Sequence, residues 1–158
     1  VNALAAARER RLMPTSNGRA AVVAMALMAG LGCLPAAGAS LTEAERQAIC
    51  VEADERYRGI FGRSPKDEPF AVILMFKDVF CPTHLTVKQG SKLRWVNADR
   101  RTSHSVWFKE AGRPESDRVF PEETIDMTVD FPPGDYPYLC GPHWKSEGMI
   151  GRLTVIGG

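Results

Sequence analysis

At 158 residues the chain has room for one domain with additions. Its 20 Lys and Arg stand against 19 Asp and Glu, for a formal net charge of +1, so no basic footprint for nucleic acid is present. The scarce residues are four cysteines and three histidines.

Residues 1–39 have the order of a secretory signal peptide. Arg8, Arg10, Arg11 and Arg19 form a basic stretch, Ala20 to Leu34 is an uncharged apolar run, and Ala37-Gly38-Ala39 is an A-x-A cleavage pattern. A membrane anchor is the competing reading, but the run is short of the ~20 apolar residues that a span needs. Arg10-Arg11 is a weak twin-arginine signal. Gly30, three positions before Cys33, does not suit lipidation. Without this segment 16 basic residues face 18 acidic ones, and three cysteines remain: Cys50, Cys81 and Cys140. Export implies an oxidising compartment in which thiols pair, so an odd cysteine needs a reason.

Residues 40–69 are expected to form an N-terminal helix and linker. Thr42 and Glu45 make a capping box, and Thr42 to Tyr57 is rich in Ala, Glu, Arg and Gln. Gly59, Gly62 and Ser64-Pro65 end the pattern. From residue 70 to 158 the texture is all-β. Strands are predicted at Ala71–Phe76, Leu85–Val87, Lys92–Val96, His104–Phe108, Thr124–Phe131, Tyr136–Cys140 and Gly151–Ile156, with Gly, Pro, Asn and Asp between them. In Thr124–Phe131 the apolar residues Ile125, Met127, Val129 and Phe131 alternate with polar ones, the mark of a half-buried strand. Short strands at this spacing predict a Greek-key β-sandwich with an N-terminal helical extension. Trp95, Trp107, Phe108 and Phe131 are assigned to its core.

The segment YLCGPHWKSEGMIG, residues 138–151, then stands out. Cys140, His143 and Met149 offer a thiolate, an imidazole and a thioether within one loop. Two histidines and a cysteine in a trigonal set, with a distant axial Met, is the blue-copper arrangement. It needs a second histidine, and His84 and His104 are the candidates. His104 enters a predicted strand, whereas His84 has the setting of a surface residue. Each ligand has an ordinary alternative: a buried thiol for Cys140, a hydrogen-bonded strand end for His104, a core residue for Met149. Glu147 is a second candidate for the axial position.

Taken in order, Val87, Gly90, Leu93, Trp95, Asn97, His104, Gly134, Tyr136, Tyr138, Cys140, His143 and Met149 resemble the plastocyanin/azurin family of small blue (type 1) copper proteins, the cupredoxins, in a plastocyanin-like arrangement. The resemblance runs from about Ala71 to Ile156. It implies one type 1 copper per chain held by His104, Cys140, His143 and Met149. It also implies that the Ser105 backbone N–H points at the Cys140 sulfur. The loop departs from plastocyanin in its His-to-Met spacing, which is one residue longer. With Cys140 given to the metal, Cys50 and Cys81 become a natural disulfide pair; the alternative is that Cys81 is simply buried beside Pro82.

The function implied is a monomeric periplasmic carrier of single electrons, serving redox partners such as a c-type cytochrome or a periplasmic dehydrogenase. An enzyme is not expected. With His104 and His143 engaged, one histidine is left, too few for the further copper sites of nitrite reductases or multicopper oxidases. Two other readings are a copper module for delivery or storage and a metal-free cupredoxin-like binding module. Trp144, Lys145, Arg100 and Arg101 are expected to form a basic rim around the exit from His143.

Overall fold

The computed structural model describes residues 40–158, and the expected signal peptide at 1–39 lies outside them. Helix α1 spans Glu43–Phe61. It starts where the capping box predicts: the Thr42 side chain accepts from the Glu45 N–H, and the Glu45 carboxylate accepts from the Thr42 N–H. Its end is later than expected, at Gly62, which takes the left-handed conformation (φ 70°) and returns its N–H to the Arg58 carbonyl. Ala53 and Tyr57, one turn apart, are its buried residues, with Ile49 and Cys50 partly buried on the same stripe. Among the described residues no helix is long and apolar enough to cross a membrane.

Seven strands follow: β1 (Ala71–Phe76), β2 (Val79–Cys81), β3 (His84–Lys88), β4 (Lys92–Asn97), β5 (Thr124–Thr128), β6 (Gly134–Leu139) and β7 (Ile150–Ile156). They form two sheets, ordered β2-β1-β4-β5 and β3-β7-β6. β1 runs parallel to β4 with Ile73 opposite Trp95, and β3 runs parallel to β7 with Leu85 opposite Leu153. The all-β sandwich is thus as predicted, but the strand set differs. β2 was not foreseen, the strand expected over Thr124–Phe131 ends at Thr128 with Val129 still bonded to Gly90 and Ser91, and 104–108 is not a strand. That last segment makes only two single bridges, His104 with Val119 and Trp107 with Leu139.

The run AVILMF in β1 is apolar throughout because both of its faces are covered. Ile73 and Met75 enter the core between the sheets with Leu93, Trp95, Tyr138 and Leu153. Leu74 and Phe76 point the other way and meet Ala53 and Tyr57 of α1. Fully burying one such large apolar side chain contributes about 1.5–3 kcal/mol. A Cys50–Cys81 disulfide joins the helix to β2, leaving Cys140 as a buried free thiol.

Candidate metal centre

Leu139 at the end of β6 pairs with Ile150 at the start of β7, so Cys140 and Met149 are next in register. The ladder carries on to them, with the Cys140 N–H donating to the Met149 carbonyl at 3.1 Å. Between them the chain folds back on two carbonyls. Cys140 O accepts from His143 N (3.1 Å) and Trp144 N (2.9 Å), and His143 O accepts from Glu147 N (2.9 Å) and Met149 N (3.4 Å). Gly148 takes a φ of +67°, which an L side chain rarely adopts, and the chain then re-enters the ladder. Cys140 and Met149 are both 0% exposed.

His104 arrives from a different segment. Its backbone pairs with Val119 in both directions, and Trp107 pairs with Leu139, the neighbour of Cys140. Asn97, buried at the end of β4, fixes the approach: its Nδ2 donates to the carbonyls of Thr102 (2.8 Å) and Val119 (3.0 Å), and its Oδ1 accepts the Asp99 N–H (2.9 Å).

The ligand atoms of His104, Cys140 and His143 lie within 4.8 Å of one another. The Cys140 sulfur is 3.5 Å from His104 Nδ1 and 3.4 Å from His143 Nδ1. Two N/S donors bound to one ion at about 2.0–2.3 Å and 120° apart stand roughly 3.5–3.8 Å from each other. The two sulfur–nitrogen separations are thus close to those of a trigonal set, and the two imidazole nitrogens lie within 4.8 Å of each other. The donor chemistry selects among metals: thiolate and thioether are soft and favour copper, and imidazole suits both of its oxidation states. The residues present fit a type 1 copper ion.

Ser105 does not act as expected. Among the described residues its N–H makes no hydrogen bond to the sulfur. Its hydroxyl instead accepts the Gly141 N–H at 3.0 Å and donates to Glu115 Oε1 at 2.6 Å. Gly141 leaves room for this bond, since a Cβ there would overlap the Glu115 carboxylate and displace it. Glu147 is exposed. His84 is an exposed residue bonded to Thr154 Oγ1 (2.7 Å), as a surface histidine would be.

Two carboxylates that the sequence did not single out also face the imidazoles. Asp99 Oδ2 is 2.7 Å from His104 Nε2. Burial works to lower the basicity of His104, but the bonds to Asp99 and Cys140 outweigh it and push its pKa up to about 9. Asp78 Oδ1 is a buried oxygen without a hydrogen bond, 3.3 Å from His143 Nδ1. Burial raises the Asp78 pKa, against the pull of His143. The two rings meet edge to face at 5.0 Å. Their exposures differ: the His104 side chain is 0% exposed and that of His143 is 19% exposed.

Residues 77–156 match the family of copper binding proteins, plastocyanin/azurin family. A plastocyanin of Synechococcus sp. is 33% identical over 92 residues, which are 50% of this chain and 65% of that protein. A plastocyanin of Nostoc punctiforme is also 33% identical over 92 residues, 49% of this chain and 65% of that protein. The matched stretch is thus just under two thirds of each plastocyanin's own length. Among solved structures, a mutant amicyanin in its reduced Cu(I) form at pH 4 is 25% identical with a TM-score of 0.48, covering 56% of this chain and 84% of the other. A mutant plastocyanin of fern is 26% identical with a TM-score of 0.47, covering 54% and 100%.

Proposed function

The chain belongs to the plastocyanin/azurin family of copper-binding proteins, and on that premise we propose that it carries single electrons between redox partners. His104, Cys140, His143 and Met149 are the ligands in this reading. Bound there, copper supplies a Cu(I)/Cu(II) couple and a strong thiolate-to-metal absorption. The chain's own part is to keep the donors still. Cys140 and Met149 sit on the continuation of one ladder, and His104 is held by the Asn97 network. Donors that do not move between oxidation states keep the reorganisation that accompanies each transfer small.

The observation that carries the reading is the burial pattern of the preformed set. His104, Cys140 and Met149 are 0% exposed, and His143 alone reaches the surface. Copper delivery needs ligands that an incoming donor can reach in turn. Electron exchange needs only one ring edge at the surface. A second catalytic copper would call on histidines, and the remaining one, His84, is engaged with Thr154 on the surface. We read it as a monomeric periplasmic carrier serving a c-type cytochrome or a periplasmic dehydrogenase; the signal-like segment 1–39 and the disulfide support export to an oxidising compartment.

The test is the absorption spectrum of the copper-loaded protein, with Cys140→Ser beside it. Wild type should be intensely coloured when oxidised and bleach reversibly on reduction. Cys140→Ser should stay folded and lose the colour. A colourless oxidised wild type, or a colour that survives in Cys140→Ser, would overturn the assignment.

A further inference from the structure

We infer that Asp99 sets the reduction potential of the centre, by holding a fixed negative charge against the far nitrogen of His104. The inference rests on the ligand reading above. His104 presents Nδ1 to the Cys140 sulfur, so Nε2 is the nitrogen left to hold a proton. Asp99 Oδ2 accepts it at 2.7 Å. The carboxylate thereby fixes the tautomer that leaves Nδ1 free for a metal, and it pulls electron density through the ring towards that atom. A carboxylate behind a ligand histidine raises its basicity as a donor.

The carboxylate has little freedom to move away. Asp99 is 8% exposed and His104 is 0% exposed, so the pair is largely shielded from water. Asp99 Oδ2 also accepts the Lys77 N–H at 3.1 Å. The Asp99 N–H is tied to Asn97 Oδ1, and Asn97 holds the carbonyls of Thr102 and Val119. Lys77 lies in the β1–β2 turn, and its ammonium is occupied by Glu52 of α1 at 2.5 Å. The Lys77 ammonium is thus paired elsewhere, and Arg100 and Arg101, which follow Asp99 in the chain, line a cleft with Glu52, Glu55 and Glu122.

The sign follows from charge. The oxidised ion carries one more positive charge than the reduced one, so a fixed negative charge close by stabilises it more. The potential falls, and a carrier with a lowered potential accepts electrons only from more strongly reducing donors. Asp99 is a positioning residue, acting through His104 and not touching the metal.

The experiment compares wild type with Asp99→Asn, which keeps the shape and an acceptor oxygen and loses the charge. Potentials are measured by titration against a mediator. Affinities for Cu(II) and Cu(I) are measured separately by chelator competition. Asp99→Asn should raise the potential by tenfold or more in the equilibrium constant, about 59 mV for one electron. The loss of affinity should fall mainly on Cu(II). A shift below tenfold, or an equal loss for both oxidation states, would mark a merely structural residue and overturn the inference. Should Asp99→Asn fail to fold, the wild-type Cu(I) protein decides by proton NMR. A His104 Nε2–H signal that is far downfield and protected from exchange supports the carboxylate bond, and an ordinary imidazole signal overturns it. A wild type that gives no coloured Cu(II) form overturns the copper-carrier reading itself. A coloured wild type with an unmoved Asp99→Asn potential overturns only the role of Asp99.

Discussion

The Cys140 N–H and the Met149 carbonyl meet at 3.1 Å, one step beyond the last pair of the β6–β7 ladder. Thiol and thioether residues are thus held at opposite ends of a loop whose ends cannot separate without unzipping a sheet. Glu147 lies exposed inside this loop.

Met149 is therefore predicted as the axial donor. Met149→Leu keeps the volume nearly constant, so it should cost less than about 1.5 kcal/mol of stability. The oxidised protein should remain coloured, and the potential should rise, because a site without a weak axial sulfur favours Cu(I). Glu147→Gln should leave the spectrum alone. Spectra and potentials of the two variants decide the matter: a strong change in Glu147→Gln with none in Met149→Leu would make the axial atom an oxygen.

Much of this was legible in the chain. Thr42 and Glu45 announce the helix start by themselves, because a capping box is local chemistry. The order of His104, Cys140, His143 and Met149 announces the site because a metal needs those donor types. What was hidden depends on residues distant in sequence. The β1–β2 hairpin turns at Lys77 and Asp78, both with positive φ (46° and 57°), where Asn-Gly is the usual signal. Lys-Asp gave no warning of it, so β2 and the approach of Asp78 to His143 were missed. Asp99 had the look of a turn residue. Its contact with His104 exists only once Asn97 has folded the loop. The segment 104–108 carries the strand formers Val106, Trp107 and Phe108 but pairs one residue at a time with two different partners.

The Cys50–Cys81 bridge should make a measurable contribution. It spans 31 residues, for which loop-closure entropy gives about 3–4 kcal/mol. Replacing both cysteines by Ala should lower the unfolding free energy in denaturant by about that amount and leave the copper colour in place. Thiol titration of the unreduced, denatured, metal-free protein lacking residues 1–39 should find one thiol. Three would mean the bridge does not form.

Gly141 tests the hydrogen bonds behind the thiol. A Cβ at this position overlaps the Glu115 carboxylate, the far end of a flexible side chain that can swing into solvent. The cost of Gly141→Ala should then be the bond from the Ser105 hydroxyl to Glu115, about 0.5–1.5 kcal/mol. In a Glu115→Ala background that bond is already gone, and Gly141→Ala should cost much less. A double-mutant cycle on unfolding free energies measures the difference. Strictly additive losses would show that Glu115 is not what Gly141 accommodates.

The surface around His143 carries the last prediction. Trp144 follows it directly, and two ammonium groups lie over the Trp144 ring, Lys109 at 4.8 Å and Lys145 at 5.1 Å. Lys109 also sits 5.0 Å from the Trp107 ring, so it rests between two indoles. Of the basic rim expected from the sequence, Lys145 lies on this side, joined by Lys109, which was not foreseen. Arg100 and Arg101 instead line a cleft with Glu52, Glu55 and Glu122, where opposite charges offset them. A small anionic oxidant such as hexacyanoferrate(III) should be steered to the Lys109–Lys145 face. Lys109→Glu with Lys145→Glu should slow oxidation of the reduced copper protein by about tenfold at low salt, while Arg100→Glu with Arg101→Glu should slow it far less. The difference should fade as the Debye length falls from ~10 Å at 0.1 M to ~3 Å at 1 M. The visible spectrum should be the same in all three proteins, because none of these residues is a ligand in the proposed set. Stopped-flow rates that match wild type across ionic strength would leave the two lysines without a part in steering. Equal slowing by both pairs would put the arginines back on the docking face.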